Sequence, residues 1–183
     1  IQLLGNVSGK RVIDLCAAPG GKTAYLANAG ATVTAIDRSS KRLMRLNKNL
    51  ERLKLFANVI TANAVEWRPK QKADAVLLDA PCSATGTIRK HPEVVWLKTK
   101  ADIAKLASLQ AQLLDAAVEM VVPGGLVLFA TCSLQSEEGP DQIDSLISRN
   151  GSIKILEILR CLPCDQAELG GQDGFFVALL QCN

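Results

Sequence analysis

Only one histidine stands among the 183 residues, so a metal centre built on several histidines is excluded, and no metal is expected around His91 because no further ligands accompany it. No apolar run approaches the length of a membrane span, and the opening Ile1-Gln2-Leu3-Leu4-Gly5 lacks the charged-then-apolar layout of a signal peptide. A soluble, cytoplasmic chain without membrane contact is expected. Aromatic residues make up 4% of the chain, and the lone Trp67 and Trp96 are read as packing residues rather than stacking platforms. A disulfide framework is also absent. Six cysteines (16, 82, 132, 161, 164 and 182) in a chain that is 48% hydrophobic fit a full core in a reducing compartment. Cys161-Leu162-Pro163-Cys164 has C-x-x-C spacing but neither a second pair for zinc nor the strand-to-helix setting of a redox motif. There is no repeat, low-complexity tract or linker, and one domain over residues 1–183 is expected.

Two nucleotide fingerprints are missing as well. The segment Asp14-Leu15-Cys16-Ala17-Ala18-Pro19-Gly20-Gly21-Lys22-Thr23 has two adjacent glycines, not G-x-G-x-x-G, which disfavours a nicotinamide cofactor, and it lacks the first glycine of a phosphate loop.

What is present is an alternation of short apolar runs with helical patterns. Strands are expected at 12–15, 32–36, 59–62, 75–78, 126–130, 154–158 and 175–180. Helices are expected at 22–29, from Ser39 as N-cap through Leu43, Leu46, Leu50 and Leu53, from the capping box of Thr99 and Asp102 to Pro123-Gly124-Gly125, and at 137–149. Residues 79–98 read as a long polar loop, and 161–174 as an irregular surface loop. Strands alternating with helices imply a doubly wound, mostly parallel sheet covered on both faces.

Charge is unevenly placed. Residues 1–134 carry 18 basic and 10 acidic side chains, net +8, while 135–183 carry 3 and 8, net −5. Lys41, Arg45, Lys48 and Arg52 fall on one helical face, a stripe suited to phosphate backbones or to solvent alone.

Cys82 and Cys132 each follow an expected strand, and in an open α/β sheet ligands bind at those ends. Two thiols over such a crevice point to nucleophilic catalysis. The glycine-rich turn after the first strand lets backbone approach a ligand, and Asp37 at the end of the second strand is placed to accept hydrogen bonds from ribose hydroxyls, so a nucleoside is the expected ligand. Asp14 is read as linked to that ligand, and Cys16 as a small residue fitting a tight turn.

Residues 14–23, the loop Asp79-Ala80-Pro81-Cys82-Ser83-Ala84-Thr85-Gly86-Thr87-Ile88-Arg89-Lys90-His91-Pro92, the tripeptide Thr131-Cys132-Ser133 and the ending Gly174-Phe175-Phe176 resemble the RNA cytosine-C5 methyltransferases, above all bacterial ones acting on small-subunit ribosomal RNA. The resemblance covers nearly the whole chain. It implies a Rossmann-like, seven-stranded methyltransferase fold with S-adenosyl-L-methionine held by Cys16, Ala17, Ala18, Pro19, Gly20, Gly21, Lys22, Asp37, residue 63 and Asp79. Position 63 departs from the family's usual aspartate. Here it is Asn63, whose amide oxygen can still accept from the adenine amino group. The resemblance further implies Cys132 as nucleophile, Cys82 in product release and Asp79 at the reacting base. Arg89, Lys90, Lys41 and Arg45 are then RNA contacts, RNA is the partner and the chain is a monomer. Residue 1 is not methionine, and family members carry an RNA-binding region upstream, so that region is expected to be missing here.

Other readings fit less well. DNA cytosine-C5 methyltransferases use a Pro-Cys-Gln cysteine, whereas this chain has Pro81-Cys82-Ser83, and amino-group methyltransferases carry an Asn/Asp-Pro-Pro-aromatic motif where this chain has Asp79-Ala80-Pro81-Cys82. A non-catalytic RNA-binding module with a vestigial methyltransferase fold is the alternative from another class.

Overall fold

The computed structural model describes every residue except Gln166, and every side chain but that of Leu169 as well. Seven strands, β1 (Arg11–Leu15), β2 (Thr32–Asp37), β3 (Asn58–Thr61), β4 (Ala73–Asp79), β5 (Val121–Thr131), β6 (Ile153–Cys161) and β7 (Phe175–Cys182), form one sheet in the order β3-β2-β1-β4-β5-β7-β6. All pairs are parallel except those of β7, which runs antiparallel to both β5 and β6. The strand order reverses between β1 and β4, and a crevice opens at the carboxyl ends of those neighbours.

Helices α1 (Gly21–Asn28) and α2 (Ser40–Leu53) cover one face, where Leu26, Leu43, Leu46 and Leu50 pack on Val12, Val33, Ala35 and Leu77. Helices α4 (Lys100–Met120) and α5 (Pro140–Arg149) cover the other, with Leu113, Met120, Ile143 and Leu146 against Ile13, Val76, Val127 and Phe129. Both expected caps form. The Ser39 hydroxyl accepts from the Arg42 amide, and Thr99 and Asp102 make a reciprocal capping box. Among the described residues no helix is long and apolar enough to cross a membrane, and no group of three His, Cys, Asp or Glu is placed to hold a metal ion.

Several expectations shift. α4 stops at Met120, and Pro123-Gly124-Gly125 lies inside β5, where the register to β4 jumps between Ala73 and Ala75. The three residues make a bulge, not a helix terminator, because Gly124 supplies a positive φ of 78° that a regular strand does not need. β6 runs three residues beyond 158, held by pairing with β7 as far as Cys161 to Phe175. The loop 79–98 contains the 3-10 turn Thr85–Thr87 and the one-turn helix α3 (Val94–Leu97). Leu53 ends up 43% exposed, one turn past the sheet. Trp67 packs against the core as expected, but Trp96 does not: it is 88% exposed on α3. Of the irregular stretch 161–174, Cys161 closes β6 and 167–169 form a 3-10 turn, while Gln166 lies outside the described residues.

Gly20 is required for a reason other than ligand approach. It N-caps α1 with φ 100°, and a Cβ there would stand 2.6 Å from the Leu46 side chain, so the turn is seated directly on α2. Gly20→Ala should therefore destabilise the chain by about 2–4 kcal/mol, from backbone strain and overpacking together, seen as a lower urea midpoint with an unchanged slope.

Candidate active site

Cys132 directly follows β5 and Cys82 follows β4 by three residues, and their sulfurs are 3.4 Å apart. At that distance one thiol donates to the other. The Cys82 S–H stabilises a Cys132 thiolate, which holds the pKa of Cys132 below the ordinary thiol value, while the same bond and burial push that of Cys82 up. The pair is thus one thiol eased towards its thiolate and one held protonated.

A buried carboxylate fixes this distance. Glu138, fully buried, accepts from the Ser83 amide with both oxygens (2.9 and 3.1 Å) and also from the Ser83 hydroxyl. Gln110 spans the gap beside it, its amide nitrogen donating to Glu138 (3.2 Å) and to the Pro81 carbonyl (2.9 Å). Hydroxyl contacts Ser83–Ser133 (3.1 Å) and Thr85–Ser133 (3.2 Å) join the residues flanking the two cysteines, and the Leu134 amide donates to Thr85 (3.0 Å). Thr131 donates to the Glu138 carbonyl (3.0 Å). Gly86 closes the cluster. Its amide donates to the Cys132 carbonyl (2.9 Å) and its carbonyl accepts from Gly174 (2.7 Å), and a Cβ at position 86 would meet that Gly174 oxygen at 2.0 Å.

The nucleoside side of the crevice is a separate cavity of about 100 Å³ lined by Cys16, Asp37, Arg38, Arg42, Asn63 and the apolar Ala64, Pro81, Leu109 and Leu113. Asp37, buried at the end of β2, accepts from the amides of Ala18 (3.2 Å) and Ser39 (2.9 Å) and pairs with Arg42 at 3.2 Å. Lone pairs remain for ribose hydroxyls. The Asn63 oxygen accepts from the Val65 amide (3.2 Å) and its nitrogen donates to Glu66 (2.9 Å). Apolar Ala64, Pro81, Leu109 and Leu113 beside one carboxylate, one amide and two guanidinium groups fit an adenosine group. Cys16 sits in the turn at φ 60°, its thiol pushed up to about 12 by burial and the nearby carboxylates, so it is inert.

Asp14 supports the same fit. It is fully buried, Thr23 donates to one of its oxygens (2.6 Å), and the other has no partner. Burial, with Asp79 and Asp37 adding to it, raises its pKa to about 7. A cationic ligand such as a sulfonium would relieve that cost.

Lys22 and Asp79 belong to the reacting end. Their side chains pair at 2.6 Å and, with Cys132, Ala130 and Phe175, line a third cavity of about 270 Å³. The side chain of Lys22 thus points away from the nucleoside cavity that its turn borders. The expected RNA contacts divide into two groups. Lys41 and Arg45 are exposed on α2, whereas Lys90 (2.7 Å) and Arg89 (3.5 Å) pair with Asp173 of the chain itself. The sequence reading missed Glu138, Gln110 and Arg42. Arg42 had a signal in its place on the first turn of α2, facing Asp37, but Glu137-Glu138 reads as an ordinary solvated helix start.

A model of the family described as 16S rRNA methyltransferase RsmB/F matches residues 1–181. The chain belongs to this family. The ribosomal RNA small subunit methyltransferase B of Photorhabdus laumondii is 41% identical over 98% of this chain and 44% of its own length, and that of Salmonella paratyphi B is 43% identical over 94% and 42%. Among solved structures, NSun6 from Pyrococcus horikoshii with SFG superposes with a TM-score of 0.87 at 28% identity, over 99% of this chain and 50% of that one. The chain thus spans less than half the length of the curated relatives it matches, and the expected family and methyltransferase fold are both found. For this RsmB/F-family chain, the thiol pair and its clamp are directly measurable. Alkylation by iodoacetamide should label Cys132 first, and Cys82→Ala should move its rate profile to higher pH, because the donated S–H that favours the thiolate is gone; peptide mass spectrometry reads both. Glu138→Ala strips a buried amide and hydroxyl of their acceptor and should cost on the order of 1–3 kcal/mol in denaturant unfolding.

Proposed function

We propose that this chain transfers the methyl group of S-adenosyl-L-methionine to C5 of a cytosine in small-subunit ribosomal RNA, with Cys132 as the attacking nucleophile. The observation that carries this reading is the pair of sulfurs 3.4 Å apart at the ends of two parallel strands, beside Asp79 and Lys22. Amino-group transfer needs no such pair.

C5 of cytosine is a weak nucleophile. Addition of the Cys132 thiolate to C6 forms a carbon–sulfur bond and shifts electron density to C5, and the electrophile this carbon meets is the methyl sulfonium of the cofactor. Asp79, which pairs with Lys22, is assigned to the N3 edge, where it would need to carry a proton in order to donate as negative charge develops there. After transfer a base must take the C5 proton, and the electrons of that bond then expel the Cys132 sulfur from C6. Cys82 suits this second step through its coupling to Cys132. While Cys132 is a thiolate, Cys82 is held as the protonated donor. Once the Cys132 sulfur is bonded to carbon, that constraint is gone and the Cys82 thiol ionises more readily. The order of the two roles follows from the charge on one neighbour.

The target base must leave its stack to reach the two sulfurs, which suits single-stranded or unpaired RNA. Exposed Lys41 and Arg45 are suited to phosphate contacts. The test is methyl transfer to small-subunit ribosomal RNA from labelled cofactor. Cys132→Ala should abolish transfer, and Cys82→Ala should accumulate a protein–RNA adduct stable to denaturing electrophoresis. Full activity in Cys132→Ala would refute the assignment.

A further inference from the structure

Trp96 occupies a position that packing does not explain. It is 88% exposed on α3, between Val95 at 54% and Leu97 at 67%, with no aromatic partner among the described residues. Burial of a tryptophan is worth several kilocalories per mole, and single exposed aliphatic residues need no account, but three consecutive exposed apolar side chains centred on an indole form a patch.

Two observations say what the patch meets. The first is charge. Residues 88–100, all exposed apart from the half-buried Val94, hold Arg89, Lys90, Lys98 and Lys100 against Glu93 alone, and among the described residues neither Lys98 nor Lys100 has a salt-bridge partner. An exposed indole followed closely in the chain by two lysines without a salt-bridge partner suits a polymer that alternates flat rings with anions. The second is continuity with the reacting centre. Gly86 is bonded to the Cys132 carbonyl, and the backbone from there to Trp96 is tied turn by turn: Lys90 and His91 donate to Thr87, Val94 to His91 and Trp96 to Glu93. Trp96 is ten steps along the chain from Gly86, so even a fully extended chain would keep their Cα atoms within about 35 Å, and these turns bring them closer.

A base drawn out of its stack leaves its neighbours with an uncovered face, and an aromatic side chain restores the lost contact. Resting on the RNA-directed reading above, we propose that Trp96 is a stacking platform for a nucleotide flanking the target cytosine, with Lys98 and Lys100 on the adjoining phosphates.

The test compares the 183-residue chain with Trp96→Ala and Trp96→Phe. For each, three quantities are measured: the Kd for a fluorescein-labelled single-stranded RNA, the Kd for S-adenosyl-L-methionine, and methyl transfer to the same RNA. Trp96→Ala should weaken RNA binding by about 5- to 150-fold, the range that stacking one base covers. Trp96→Phe should keep most of the affinity, and cofactor binding should not change in either. RNA affinity within about twofold of the unsubstituted chain in Trp96→Ala overturns the platform and leaves the methyltransferase reading standing. Equal losses in Ala and Phe also overturn it, since stacking would then not be the source. A monomer–dimer equilibrium lost in Trp96→Ala at unchanged RNA affinity would assign the patch to a second copy instead. Intact RNA binding without methyl transfer would refute the proposed reaction and spare the surface.

Discussion

The bond from the Ser83 amide to the Glu138 carboxylate is the constraint on which the reacting centre depends. Two loops from different strands, each able to move alone, carry the two cysteines, and thiols on independent loops would meet only occasionally. A carboxylate sequestered from water has no competing solvent, so its three donors, two from Ser83 and one from Gln110, are held far more firmly than a surface pair would be. Gln110 extends the hold to Pro81, just before Cys82, and Thr131 ties the Glu138 backbone to the residue just before Cys132. Sulfur–sulfur geometry is thus set from both sides by groups that touch neither sulfur.

The crevice divides the work between two kinds of surface. The Asp37 and Asn63 end is the smaller, with Arg38 and Arg42 beside apolar Ala64, Pro81, Leu109 and Leu113, whereas the Lys22–Asp79 end is larger. Asp14 is buried and half satisfied, an arrangement that costs the protein stability. The glycines divide in the same way. Gly20 is fixed by the helix beneath it and Gly86 by the backbone beside it, so both belong to the scaffold that aims the reacting groups.

Local pattern revealed the sheet, the order of strands and helices, and both N-caps, because each rests on spacing within a few residues. Cys132 and Asp37 were legible for the same reason: a strand end followed by a turn places them. Glu138 was not. Its burial depends on contacts with Ser83, 55 residues away, and an acidic pair at a helix start looks the same whether it is solvated or enclosed. Pro123-Gly124-Gly125 misled because a helix stop and a strand bulge use the same residues, and only pairing with β4 distinguishes them. Trp96 misled in the opposite direction: tryptophan is usually buried, and nothing within α3 says that no core faces it.

β7 enters the sheet between β5 and β6, and the Gly174 amide just before it donates to Gly86, 88 residues earlier in the chain. The wall beside Cys132 is therefore completed by a segment made after both thiols. A ribosome that has released residues 1–160 has produced the nucleoside cavity and both thiols but not the strand that backs β5 or the glycine contact that closes the loop. Until β7 has been made and paired, the two thiols sit in an unfinished crevice.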